Sequence, residues 1–358
     1  MIKNNPAKID GLYLKRDIES KLTKYLKTKE IIALIGPRQV GKSTVLNKLH
    51  KDISKKKKSV FLTFEDKKIL NFFQEDVESF KKTYIDPNEI IFIDEIQYAK
   101  DAGQKLKYIY DTTGKKIVIS GSSSLEIRDM GKFLVGRIFT FYLNPLSFSE
   151  FLSYRDTTIH SLYQNSSKEN EISKSSEIKK VTLKLFEEYL IYGGYPRVVL
   201  AKTNEEKEFA LGSVIDNYLL KEIRSLLKLA TEDELLRLTQ LLSLQTGNLI
   251  SYNELSLLTG FSRVELKKHL NILKETYILD LIKPYFRNRR VELVKNPKAY
   301  FIDTGMRNKI IDNFSKVGQR TDIGQIAENY VFDVLRRNFP FPKKINFWRT
   351  KSQAEVDF

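Results

Sequence analysis

Cysteine is absent from the 358 residues, and histidine nearly so: His50, His160 and His269 stand far apart. The first absence excludes disulfides, thiolate metal sites and cysteine nucleophiles, and suits a reducing compartment. The second leaves no basis for a histidine-built zinc site. Long apolar runs are missing as well. The leading MIKNNPAK has no hydrophobic stretch of a secretory signal. Ile31–Ile35, the longest clean run near it, falls far short of the roughly 20 residues that a membrane helix needs. The expectation is a soluble, cytoplasmic protein with no membrane partner.

Negative charge is in deficit, with 45 Asp and Glu against 61 Lys and Arg, a formal net charge of +16. Such an excess points to acidic partners, nucleic acid first. Base bias in a genome produces the same Lys-, Asn- and Ile-rich composition, so charge alone identifies nothing. Hydrophobic residues at 41% and charged residues at 30% are an ordinary globular balance, and the length has room for two or three domains.

Between Ile31 and Tyr142, short apolar runs alternate with longer helical segments. The runs are Ile31–Ile35, Val60–Phe64, Ile90–Ile93, Lys116–Ser120 and Ile138–Tyr142. Strand-length, β-branched or aromatic, and separated by helices, they predict an α/β fold with a parallel sheet covered on both faces. Ligands of such sheets bind at the carboxyl ends of the strands. Polar groups are there: Glu65-Asp66 close the second run and Asp94-Glu95 the third.

The first run leads into GPRQVGKST, comprising Gly36, Pro37, Arg38, Gln39, Val40, Gly41, Lys42, Ser43 and Thr44. This fits G-x-x-x-x-G-K-[ST] after a strand and opening a helix, the setting of a P-loop (Walker A). Its glycines let backbone N–H groups turn inward around phosphates, Lys42 reaches the β- and γ-phosphates, and the Ser43 hydroxyl ligates Mg²⁺. The third run, IIFIDE, delivers Asp94 to the Mg²⁺ shell and Glu95 to polarise an attacking water, as a Walker B strand does. No N-K-x-D guanine-reading motif is present, which favours ATP. The fourth run ends in Ser120-Gly121-Ser122-Ser123-Ser124. Ser120 and Ser122 are candidates to orient water or touch the γ-phosphate, while a serine-rich helix cap is the plain alternative.

Further on, the Ser-, Asn- and Lys-rich tract from Asp156 to Lys180 reads as a linker or surface excursion. Helices are predicted at Tyr252–Leu258, ending at Gly260, and at Arg263–Leu273, capped by Ser262. Two apolar stretches follow, Ile278–Ile282 and Val291–Ile302, joined by Arg287-Asn288-Arg289-Arg290. Helix–turn–helix plus a ribbon predicts a winged helix. Arg263, Lys267 and Asn271 share one helix face, opposite Leu266, Leu270 and Leu273. That face suits a major groove, and Arg287, Arg289 and Arg290 suit phosphate or minor-groove contact. Between Arg263 and Lys309, 12 Lys and Arg face 5 Asp and Glu. A protein-docking or purely structural module is the alternative.

GPRQVGKST, IFIDEIQ, ISGSSS, Val135-Gly136-Arg137 and NPLSFSEF (Asn144–Phe151) together resemble a prokaryotic AAA-type ATPase family with a C-terminal restriction-nuclease-like domain of unknown function. The motifs Tyr192–Pro196 (YGGYP), KAYFIDTG, GQIAEN and FWRTKSQAEVDF extend the resemblance over nearly the whole chain. It implies an AAA-like core at 1–155, a linker and helical lid at 156–230, a winged helix at 231–310 and part of a nuclease-like domain at 311–358. It also implies that Pro196, in Gly194-Tyr195-Pro196, packs on adenine, and that Arg137 stabilises γ-phosphate charge in its own subunit or a neighbour's. A homo-oligomer would need such an arginine in trans, with Arg128 and Arg137 as candidates. Glu328 and Asp357 match the first two nuclease acids. The acid-x-Lys strand does not follow, so no nuclease activity is expected of these residues. The leading expectation is an ATPase coupled to binding of double-stranded DNA. The alternative is a slow ATP-dependent switch that docks a protein partner; a small-molecule kinase is disfavoured by the paired acids.

Overall fold

The computed structural model describes residues 13–122, 130–165, 176–217, 223, 232–285, 295–339, 344–350 and 354–358. Ser123, Ser124, Arg128, the basic turn Arg287–Arg290 and most of the Asn165–Ser176 tract lie outside the described residues. The chain packs into two compact units, Met1–Asn144 and Pro145–Phe358.

The first unit is built on the five predicted runs. They form β1 (Ile31–Ile35), β2 (Ser59–Thr63), β3 (Ile90–Asp94), β4 (Lys116–Gly121) and β5 (Ile138–Tyr142). The sheet is wholly parallel, in the order β2-β3-β4-β1-β5. β1, β3 and β4 are buried along their full length, which is why they read as unbroken apolar runs rather than alternating ones. Each buried isoleucine contributes roughly 1.5–3 kcal/mol of burial. The chain runs outward from β1 to β2, returns through β3 and β4, then passes β1 to reach β5. The order therefore reverses beside the carboxyl end of β1, the switch point where open sheets of this kind hold ligands. The loop Gly36–Gly41 emerges there, and the helix Lys42–Ile53 begins on it.

In the second unit, a Ser147–Glu150 capping box starts the helix Phe148–Arg155. Helices Ser176–Tyr192, Pro196–Leu200, Asn204–Val214 and Glu232–Leu244 follow. The next pair, Tyr252–Thr259 and Arg263–Glu275, is punctuated as the spacing predicts. Gly260 ends the first at φ 79°, and a Ser262–Glu265 capping box opens the second. β6 (Leu279–Pro284) and β7 (Lys298–Phe301) are antiparallel. β8 (Asn346–Arg349) runs parallel to β6, and β9 (Glu355–Val356) pairs with β8. The ribbon after the helix pair is thus half of a mixed sheet ordered β7-β6-β8-β9, which continues past residue 310. Ile282, Tyr300, Phe332 and Phe347 form its core. Among the described residues, no helix is long and apolar enough to cross a membrane.

Candidate nucleotide site

The loop after β1 is bent by residues of positive φ, Gln39 at 61° and Gly41 at 93°. Left-handed residues alternating with right-handed ones curl N–H groups into a concave nest for anions. The first N–H groups of the following helix have no intrahelical acceptor and add the positive end of its dipole. Gly36 is required for a different reason: a Cβ there would lie 2.0 Å from the carbonyl oxygen of Leu143. Lys42 is 4% exposed, and its ammonium folds back onto the loop, donating to Gly36 O at 3.0 Å and Pro37 O at 2.8 Å.

Facing the loop are the ends of β3 and β4. Asp94 is buried, and its carboxylate accepts hydrogen bonds from the hydroxyls of Ser120 and Ser43. Burial pushes the Asp94 carboxyl above its ordinary range, and the two hydroxyls partly offset this. A buried acid so perturbed favours a bound cation. Together with the Ser43 hydroxyl it supplies hard oxygen donors that fit Mg²⁺. Glu95 follows at φ 55° and ψ 49°, a left-handed conformation uncommon for a residue with a side chain. Its N–H donates to Ser120 Oγ at 3.2 Å. Its carboxylate accepts from the Gln97 amide, which also donates to Ser122 Oγ at 3.1 Å. Ser120 therefore locks the backbone of the acid pair, while Ser122 communicates with the side chain of Glu95.

Three residues without a role in the sequence reading belong here. Glu65, after β2, has its carboxyl raised by burial and by the charges of Glu95 and Asp94, with Arg38 opposing. Gln97 was visible within IFIDEIQ, but nothing in the spacing shows which side chain it meets. Arg16 is buried and braces the loop from outside, donating to Val40 O at 2.9 Å and Asn144 O at 2.6 Å. These partners lie 24 and 128 residues away in sequence, so no local pattern marks it. Arg38 points along the loop to the Tyr98 hydroxyl, 3.1 Å away.

Other expectations land elsewhere. Arg137 precedes β5, and its carbonyl accepts from Ile31 N at 2.7 Å. Because β5 and β1 are parallel, Arg137 lies at the amino end of the sheet, a strand's length from the loop. There it pairs with Asp111 at 2.8 Å, so a role on the γ-phosphate of its own chain is corrected by the strand register. Pro196 is the first residue of the helix Pro196–Leu200 in the second unit. Its neighbour Tyr195 is 1% exposed, packed inside that unit. Gly194 N donates to Asp303 Oδ2 at 2.8 Å. This bond joins the YGGYP and KAYFIDTG motifs, and burial lifts Asp303 to about 6.

Arg263, Lys267 and Asn271 are exposed on one helix, while Leu266, Leu270 and Leu273 are buried beneath it. The Arg263 guanidinium and the Lys267 ammonium lie 5.5 and 6.0 Å from the ring centre of Tyr252. Glu328 and Asp357 converge as well, but on the ammonium of Lys298, at 3.4 and 2.8 Å, with Glu355 as a third partner.

A five-stranded parallel sheet, a P-loop at its switch point and an acid pair on the neighbouring strand define an AAA-type P-loop ATPase fold. Residues 28–152 match the family model described as an AAA domain, and residues 183–317 match a domain of unknown function (DUF8612). The chain is 26% identical over 357 residues to an uncharacterized protein of Methanocaldococcus jannaschii, covering 96% of this chain and 74% of that one. An uncharacterized protein of Haemophilus influenzae is 26% identical over 344 residues, covering 91% and 78%. Among solved structures, AMPPCP-bound DnaA from Aquifex aeolicus overlaps 72% of this chain and 86% of its own, at 12% identity and TM-score 0.29. Drosophila ORC bound to DNA overlaps 84% and 96%, at 12% identity and TM-score 0.32.

Proposed function

We propose that the chain binds ATP and Mg²⁺ on Gly36–Thr44 and hydrolyses the nucleotide, and that nucleotide state is coupled to a basic winged helix that binds double-stranded DNA. One observation carries the reading. A nest of loop N–H groups, a buried lysine and a hydroxyl–carboxylate pair meet at one end of the sheet, with a second acid beside them. In this reading the loop cradles the β- and γ-phosphates. Lys42, now donating to the carbonyls of Gly36 and Pro37, is the cation that would turn to the phosphate oxygens. Ser43 and Asp94 would hold Mg²⁺, which when bound would supply charge neutralisation for the phosphates. Glu95 positions the attacking water and accepts its proton, and Ser122 orients the γ-phosphate end of the site. Arg137 serves a neighbouring copy in a homo-oligomer.

The division proposed for the chain is an ATPase core at 1–155, a linker and lid at 156–230, a winged helix at 231–310 and part of a nuclease-like domain at 311–358. The exposed row Arg263, Lys267 and Asn271 supports DNA as the partner of the third region, and Arg287, Arg289 and Arg290 are proposed from the sequence as further DNA contacts. A second reading, a slow ATP-dependent switch that docks a protein, draws on Leu257 and Val264, 85% and 79% exposed on the same helix pair. ATP hydrolysis with and without duplex DNA across a salt series separates the two. Stimulation that fades steeply with salt supports the DNA reading. Tight ADP retention and indifference to DNA support the switch.

A further inference from the structure

Gln97 lies two residues past Glu95 in the short 3-10 turn Ile96–Tyr98. Its amide nitrogen bridges two strands, donating to the Glu95 carboxylate at the end of β3 and to Ser122 Oγ, 3.1 Å away, past the end of β4. The orientation of this amide follows from chemistry. An ionised carboxylate only accepts, so the nitrogen must face it. The other side of the amide shows a cost, because among the described residues Gln97 Oε1 is buried with no hydrogen-bond partner. A buried polar atom left unpaired destabilises a fold, and an apolar side chain of similar size would avoid the cost. The two bonds from its nitrogen are what this side chain contributes to the site. Glu95 itself adds a second mark of an imposed geometry, a left-handed backbone at φ 55° on a residue with a side chain, and such strain persists where surrounding structure enforces it. The backbone, fixed by the bond from Glu95 N to Ser120 Oγ, sets the direction of the side chain. The Gln97 amide sets where its carboxylate ends.

We propose that Gln97 is a positioning residue for the hydrolytic step, holding the Glu95 carboxylate toward Ser122 and tying the placement of the base to that hydroxyl. The proposal rests on the reading of Glu95 as the group that activates water. Because both bonds leave one nitrogen, a displacement of Ser122 moves Gln97 and with it the base. Occupancy at the end of β4 and readiness of the carboxylate are thereby a single mechanical event.

The test is steady-state MgATP hydrolysis by wild type, Glu95→Gln, Gln97→Ala, Gln97→Glu, Ser122→Ala and the Gln97→Ala/Ser122→Ala double variant. Affinity for a fluorescent ATP analogue is measured alongside for each. Loss of the amide is expected to lower kcat by about 10- to 100-fold while KM and the analogue's Kd stay within about threefold, since only the transition-state geometry is disturbed. Gln97→Glu preserves the volume but sets two carboxylates together, and is expected to lose at least as much. It carries the test should the alanine variant fail to fold. The single losses of Gln97→Ala and Ser122→Ala are expected not to sum in the double variant, because they remove one shared link. If Glu95→Gln is inactive but the Gln97 variants turn over within about twofold of wild type, or lose only affinity, the positioning role is wrong and hydrolysis by Glu95 stands. Additive losses would sever the link to Ser122. If wild type is no faster than Glu95→Gln, both the positioning role and the reading beneath it fall.

Discussion

Lys42 in the first unit and Lys298 in the second are both buried, 4% and 2% exposed, yet their surroundings differ in kind. Lys42 donates to two neutral carbonyls of its own loop and feels the charge of Asp94 across the site. Lys298 is clasped by Glu328, Glu355 and Asp357, with Phe347 5.4 Å beneath the ammonium. Burial works against the Lys298 charge, but its carboxylate partners outweigh it and hold the ammonium above its usual range. The pattern extends beyond the two residues. In the second unit, Asp322 ties together Arg307 and Arg320, both buried. In the first, the charged groups at the end of the sheet cluster around a loop shaped to receive an anion. Interlocked charges hold a fold together; charges arranged around a concave loop are kept for something that arrives. Burial alone does not distinguish the two, since desolvation is severe in both and only the partners differ.

The comparison breaks most visibly through Lys42. Lys42→Met is expected to lower ATP turnover by about 10²–10³-fold, the usual loss when one preorganised electrostatic group is removed. Its thermal midpoint should fall far less than its turnover, because Lys42 is not clasped by a set of carboxylates as Lys298 is. Calorimetry beside an ATPase assay reads both, and a large stability loss with turnover intact would erase the distinction.

Asp322→Asn sharpens the other side. It leaves two buried guanidinium groups without their shared anion, for an expected destabilisation of roughly 3 kcal/mol. Burial opposes ionisation of Asp322, but hydrogen bonds from Arg320 and Arg307 bring the carboxyl down to about 2. A depressed acid stabilises above its unfolded value of 3.8 and loses that contribution as pH falls through the folded value. The gap between wild type and variant in denaturant melts should therefore hold above pH ~4 and close toward pH ~2. A gap independent of pH would mean that shape, not charge, sets the cost.

Lys298→Met should destabilise by a smaller amount, roughly 2 kcal/mol, because its three carboxylate partners are partly solvated and can be screened. ATP turnover should be unaffected. Smallest is the effect at the proposed DNA face. Arg263→Ala with Lys267→Ala should reduce the slope of log affinity against log salt by about 2, with only a modest loss of affinity at low salt. Fluorescence anisotropy with a duplex reads this directly, and an unchanged slope would remove those side chains from the interface.

The sheet and the loop were legible because their signals are local. A buried parallel strand is an apolar run, and a P-loop is an eight-residue pattern between a strand and a helix. The five strands fall within a residue or so of their predicted bounds. What escaped depends on contacts distant in sequence. Gln97 meets Ser122 25 residues away, and Arg16 meets Asn144 128 away. Lys298 read as part of a strand, and only the fold brings Asp357, 59 residues on, to its ammonium. The role of Arg137 comes from the resemblance, and sequence alone does not say which end of the sheet it occupies; parallel register puts it at the amino end, away from the loop of its own chain.

Hydrolysis at this site depends on the carboxylate of Glu95. Phosphate release from MgATP by wild type and Glu95→Gln, with binding of a fluorescent ATP analogue measured on the same preparations, addresses this most directly. Removal of the base predicts retained binding and turnover reduced by at least about 100-fold. Equal turnover in the two proteins, or binding without hydrolysis in both, would contradict a hydrolytic site at the end of β3.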